Sequence, residues 1–232
     1  MSQLNQKRKA KLINCLLRWW RKSGRKYPWR KEKDPYKVLI AELMLQRTRA
    51  DQVLAVYPSF LRRFPTVRAL AEASPEEVRN FFDRLGLVWR SKNVKRLGEV
   101  LEKNFDGRVP DTREKLLSLP GVGEYVADAV LASLYGKNVA AVDANVCRIM
   151  QRIFKLKIRG EARRNPKLKQ IVQKMVPKGR AKEFNWAMID LGALVCTPKN
   201  PKCPFCPLNK MCKYASREEK KRCSPSILSL LC

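Results

Sequence analysis

The chain has 232 residues, enough to bury one large core or two small ones. Fifty lysines and arginines against 21 acids leave a net charge of +29, about one excess cation per eight residues. Such a surplus calls for a polyanion, nucleic acid first and an anionic membrane second, and the absence of any histidine excludes Ser-His-Asp, Cys-His and histidine–metal mechanisms.

The predicted elements are helical from the start of the chain. Residues 3–22 carry Leu12, Ile13, Leu16, Leu17, Trp19 and Trp20 among basic residues, the pattern of an amphipathic helix. Lys7, Arg8, Lys9 and Lys11 leave no apolar h-region there, so no secretory signal is expected. Asp34-Pro35 is a cap followed by a first-turn proline, opening a helix through about Arg49. Within it, Glu42 interrupts the apolar run Val38–Leu45. One carboxylate in such a run is expected to be partly buried, its pKa raised unless a cation pairs with it; a buried ion pair is the plain alternative. Ser74-Pro75-Glu76-Glu77 repeats the cap with two acids on the positive helix end. Further helices are expected near 91–104, 113–119, 124–135, 144–155 and 180–195.

Two of these helices begin at motifs with chemical content. Leu119-Pro120-Gly121-Val122-Gly123 lies between helical stretches; its glycines allow a tight hairpin, and the N–H groups of the helix from Glu124 can hold a phosphate. A plain helix–helix turn is the alternative. Asp143, in Val142-Asp143-Ala144-Asn145-Val146, sits where an N-cap belongs, and capping alone explains an aspartate. The same position keeps a carboxylate ionised and aimed out of the helix end, as a catalytic anion requires.

After Cys196 prolines and cysteines crowd the chain. Cys196, Cys203, Cys206 and Cys212 are spaced C-x6-C-x2-C-x5-C, and Pro198, Pro201, Pro204 and Pro207 stiffen the loop between them. Four thiolates this close fit a tetrahedral zinc or a [4Fe–4S] cluster, with unliganded buried cysteines as a third reading. Lys199, Lys202, Lys210 and Lys213 in the same loop suit a metal that shapes a basic surface better than one that does redox work. No apolar run spans a bilayer, and Ile227–Cys232 is too short to anchor. The protein is therefore expected in an intracellular, cytoplasmic and nucleoid-associated setting, where cysteines serve metals rather than disulfides. Cys15 and Cys147 are expected as buried apolar thiols, with Cys223 and Cys232 unassigned. Without a period-2 stretch or repeat, the fold class is all-α.

Taken together, the hairpin Leu119–Gly123, Asp143 about twenty residues on and the cysteine spacing resemble the helix-hairpin-helix DNA glycosylases of the endonuclease III/MutY superfamily, from about Tyr27 to Cys212. The resemblance selects the [4Fe–4S] cluster over zinc. The second residue after the hairpin's last glycine is a lysine in lyase members and usually a serine in MutY proteins; here it is Tyr125. A tyrosine there is the pattern of the archaeal thymine-DNA mismatch glycosylases (Mig). Asp34-Pro35-Tyr36 leading to Glu42, Arg47-Thr48 and Ala50, and Val142-Asp143-Ala144-Asn145 leading to Cys147, are similar to that group as well. Glu42 is shared with MutY, but the extra oxoguanine-reading domain of MutY has no room after Cys212.

The resemblance implies two helical domains with a DNA-binding cleft between them. Residues 28–136 would form a six-helix barrel with the helix-hairpin-helix, and 1–27 with 137–232 the iron–sulfur domain. It also implies a monomer acting on double-stranded DNA with a G·T or G·U mismatch, without strong strand-cleaving lyase activity. Asp143 would stabilise positive charge on the sugar, Tyr125 would lie against the extruded base or sugar, and Glu42 would touch the base. Gln46, Arg47, Leu87, Gly121 and Gly123 would contact DNA, with Arg47 and Leu87 entering the gap; a core position is the plain alternative for Leu87. The alternatives are a MutY-type adenine glycosylase and a non-catalytic DNA-binding iron–sulfur or zinc protein.

Overall fold

In the computed structural model, residues 6–216 are described; Cys223, Cys232 and the apolar stretch 227–232 lie outside them. Among the described residues every regular element is a helix. They are α1 Gln6–Ser23, α2 Pro35–Leu45, α3 Ala50–Arg63, α4 Val67–Glu72, α5 Pro75–Asp83, α6 Val88–Phe105, α7 Arg113–Leu117, α8 Glu124–Leu134, α9 Ala144–Phe154, α10 Pro166–Met175 and α11 Ala181–Leu194. None is long and apolar enough to cross a membrane. The chain divides into two compact units, one of Lys26–Ala141 and one joining the residues up to Arg25 to those from Val142 on.

In the first unit α2 is the centre. Residues Val38 through Met44 are all buried, which is why its sequence is apolar on every face. It packs on α3 and α8, while α6 packs on α4 and α5. Phe60, Phe64 and Phe82 are fully buried, and the Phe60 ring centroid lies 4.9 Å from that of Phe64. Each such ring contributes about 1.5–3 kcal/mol of burial. Asp34 caps α2 through the Tyr36 N–H at 2.9 Å, and Ser74 with Glu77 forms the full capping box of α5.

Two expectations change here. The second helix stops at Leu45 instead of running to about Arg49, because Gln46 is extended and Arg47 turns left-handed at φ +58°. That break releases a separate helix, α3, which the sequence reading lacked because Pro58 lies inside it. The short α4, and α10 behind the Asn165-Pro166 cap, were also not anticipated.

In the second unit α11 packs on α1 and α9, and α10 on α9. Asp190, completely buried on α11, accepts the Trp20 indole N–H at 3.0 Å, the Arg25 backbone N–H at 3.0 Å and the Arg25 Nε at 2.7 Å. This ties the end of α1 to α11. Removing Arg25 would take a half-buried cation away from a fully buried carboxylate, which is destabilising. Beyond α11 the cysteine loop runs through two short 3₁₀ turns, Cys203–Phe205 and Asn209–Met211.

Candidate functional site

Among the hairpin glycines, Gly121 adopts φ +79°, and a Cβ there would stand 3.2 Å from the Asn93 Cβ, so both backbone and space demand glycine. Gly123 differs. It is the N-cap of α8 at φ −98°, no side chain caps the helix, and a Cβ would meet nothing within 4 Å. Protein packing gives no reason for a glycine at 123, whereas close approach by a ligand does. Glu124, in the first turn of α8, is drawn to Arg113 at 3.5 Å, and Arg113 also pairs with Asp128 at 2.7 Å.

The structure brings Gln46, Arg47 and Gly121 to one place. Gln46 Nε2 donates to the Gly121 carbonyl at 3.0 Å, bridging the end of α2 to the hairpin. Arg47 is exposed beside it. Glu42 is buried on α2, 7% exposed, and Tyr125 is half-buried on α8, the helix that packs on α2. Leu87 is 7% exposed and belongs to the core; the exposed apolar side chains next to it are Val88 and, at 60%, Trp89. The sequence reading missed Trp89 because an aromatic near a helix start carries no mark of exposure.

Asp143, in the other unit, caps α9. Its Oδ1 accepts the Val146 N–H at 2.8 Å and its Oδ2 accepts the Asn145 amide at 2.7 Å. Burial nevertheless raises its pKa; the bonds from Val146 and Asn145 and the charge of Arg148 act against that rise. Arg148 continues the chain of contacts. It donates to Asn145 Oδ1 at 2.6 Å, to the Gly192 carbonyl at 2.8 Å and to the Cys196 carbonyl at 2.8 Å. Asn145 and Arg148 were also missed, although their i, i+3 spacing after the cap was visible.

No disulfide joins any of the six described cysteines. Burial pushes Cys147 up to about 11, as suits an inert core thiol, whereas Cys15 is half-buried. Cys206 is pushed up to about 12 by burial, and the neighbouring Cys196, Cys212 and Cys203 each raise it further. Cys206, whose ionisation its three cysteine neighbours disfavour, belongs to a donor set that a cationic centre would relieve. Among the described residues no group of three or more Cys, Asp or Glu is closed to the geometry of a bound ion. Arg152 braces the loop, donating to the Cys196 Sγ at 3.3 Å and to the Thr197 carbonyl at 2.7 Å, and Arg8 donates to the Met211 carbonyl at 3.1 Å.

Known proteins resemble this chain in sequence and in fold. The family model of the HhH-GPD superfamily base excision DNA repair proteins matches residues 40–178. A thymine/uracil-DNA glycosylase of Pyrobaculum aerophilum is 39% identical over 220 residues, covering 91% of this chain and 94% of that protein. An adenine DNA glycosylase of Mycobacterium tuberculosis is 38% identical over 196 residues, covering 84% of this chain but 64% of that protein. The solved structure of a thermostable thymine-DNA glycosylase superposes with a TM-score of 0.86 at 32% identity, covering 91% of this chain and 98% of that one.

Proposed function

The chain belongs to the HhH-GPD superfamily of base excision DNA repair proteins, and we propose that it is a monofunctional, monomeric DNA N-glycosylase removing thymine or uracil mispaired with guanine. The observation that carries this reading is Asp143, both of whose carboxylate oxygens are held in place at the start of α9.

Breaking the N-glycosidic bond builds oxocarbenium-like charge on the sugar. A carboxylate fixed through both oxygens faces that charge without reorganising, and helps orient the attacking water. The mismatched base leaves the stack more easily than a paired one. Gly121, the open Gly123 and the uncapped start of α8 suit a DNA phosphate. Arg47 and the exposed Trp89 suit the gap left by the base, a role for which the buried Leu87 is less well placed. Glu42 contacts the base and Tyr125 the base or sugar. With tyrosine rather than lysine at 125, no amine stands there to attack the sugar, so hydrolysis leaves the strand intact.

Cys196, Cys203, Cys206 and Cys212 would hold a [4Fe–4S] cluster. When bound, it ties the loop together and sets Lys199, Lys202, Lys210 and Lys213 as a basic surface. The domain reading, a helix-hairpin-helix barrel over 28–136 and an iron–sulfur domain from 1–27 and 137–232, accompanies this proposal.

The test is incubation with fluorescent duplexes holding T·G, U·G or A·8-oxoguanine, followed by alkali to cut abasic sites. Alkali-dependent cleavage of the T·G and U·G strands is expected. Cleavage of the A·8-oxoguanine duplex alone would assign the protein to adenine removal, and none at all would leave a DNA-binding protein.

A further inference from the structure

Arg90 is buried to 6% exposure in the first turn of α6, a costly place for a guanidinium. Its Nη1 donates to the carbonyl of Gln46, the residue that ends α2. Its Nε is buried with no hydrogen-bond partner among the described residues. The ring of Trp89 lies 4.7 Å from its guanidinium carbon. Burial pulls its pKa below the ordinary range, and the nearby charge of Arg47 pulls it further. An arginine kept at these costs has work that a leucine could not do.

From these contacts we infer that Arg90 is a positioning residue that makes Arg47 and Trp89 a single probe for the DNA gap. Arg47 sits at φ +58°, a strained state for a side chain other than glycine, and such states persist only where neighbours enforce them. Arg90 fixes the carbonyl just before that turn, and the Gln46 side chain fixes the same residue to Gly121. One guanidinium therefore sets the turn that presents Arg47 and carries the indole of Trp89 on its face.

This inference rests on the proposed glycosylase reading, and the experiment separates the two. Single-turnover base release and mismatch-duplex affinity are measured for wild type, Arg47→Ala, Arg90→Met and the double variant, with melting curves for each. If Arg90 acts through Arg47, each single change costs about tenfold in mismatch affinity and the pair costs little more than either, a coupling typical of residues in one network. Partial rescue by Arg90→Lys, which keeps one donor for the Gln46 carbonyl, is expected as well. Losses that multiply to about a hundredfold in the double variant would overturn the inference while leaving the glycosylase reading intact. Wild type releasing no base from T·G or U·G would instead overturn the glycosylase reading. Should Arg90→Met melt below the assay temperature, Arg90→Lys takes its place in the cycle: losses that multiply with those of Arg47→Ala overturn the inference, and non-additive losses sustain it.

Discussion

Gly192→Ala tests how Asp143 is held. Gly192 lies in α11, and a Cβ there would stand 2.4 Å from the Asn145 Cβ, 2.9 Å from its Cγ and 3.1 Å from its Oδ1. Carbon atoms in contact sit about 3.5–4.0 Å apart, so Asn145 would have to move by about 1 Å. Its amide now donates to Asp143 Oδ2 at 2.7 Å and its Oδ1 accepts from Arg148, and both bonds would stretch toward breaking. A catalytic group misplaced by about 1 Å costs on the order of 10²-fold in rate. Stability changes less. Overpacking costs about 1–3 kcal/mol, offset by about 1 kcal/mol from the better helix propensity of alanine. At about 2–4 °C per kcal/mol for a protein of this size, the melting temperature should fall by no more than about 8 °C. Single-turnover thymine release from a T·G duplex, with thermal melts alongside, measures both. A folded Gly192→Ala protein with the wild-type rate would refute the reasoning. Adding Asn145→Gly removes the clashing Cβ and everything beyond it, so the double variant should relieve the overpacking but not restore the rate.

Asp143→Asn should keep the cap, bind DNA and lose most base release. Because burial raises the Asp143 pKa, the folded state binds its proton more readily than the unfolded chain, and the stability cost of the carboxylate grows as pH rises through that window. The asparagine variant should therefore melt at or above wild type near neutral pH, with the gain vanishing below the ordinary carboxylate range; a lower melting temperature at neutral pH would contradict this. Tyr125→Lys should form a borohydride-trappable protein–DNA adduct and nick without alkali, whereas wild type needs alkali; an adduct from wild type and none from the variant would place the nucleophile elsewhere. Anaerobically purified protein should be brown with iron and acid-labile sulfide, and Cys203→Ser or Cys206→Ser should lose the colour; stoichiometric zinc in a colourless protein would replace the cluster.

The all-α class and most helices were legible because caps and prolines mark helix starts from local chemistry alone, as at Asp34-Pro35 and Ser74-Pro75. The end of α2 was not, since nothing in Gln46-Arg47-Thr48 announces a left-handed arginine. That turn depends on Arg90, 44 residues away, and long-range hydrogen bonds have no local signature. The same applies to the site. Asp143 and the hairpin could be read because capping and turn geometry constrain residue types, whereas Asn145, Arg148 and Arg90 are ordinary residues in so basic a chain. Burial alone distinguishes Arg90 from the other arginines, and burial is set by packing.

In the proposed reaction, the placement of Asp143 meets a conflict that a catalytic carboxylate faces in any site poor in water. A site poor in water strengthens the attraction between a carboxylate and a developing cation, yet the same dryness favours the protonated form, which is useless for that purpose. At the start of α9 the conflict is met by short-range donors rather than by a paired cation. The Val146 N–H and the Asn145 amide each hold one oxygen, and Arg148 stands one residue removed, behind Asn145. A guanidinium in direct contact would neutralise the charge that the proposed reaction turns toward the sugar. Placed behind an amide, it orders that amide and lowers the pKa without bonding the carboxylate in any contact described above. Replacing Asn145 by a residue that admits Arg148 to direct contact would therefore keep Asp143 ionised but weaken its stabilisation of the transition state.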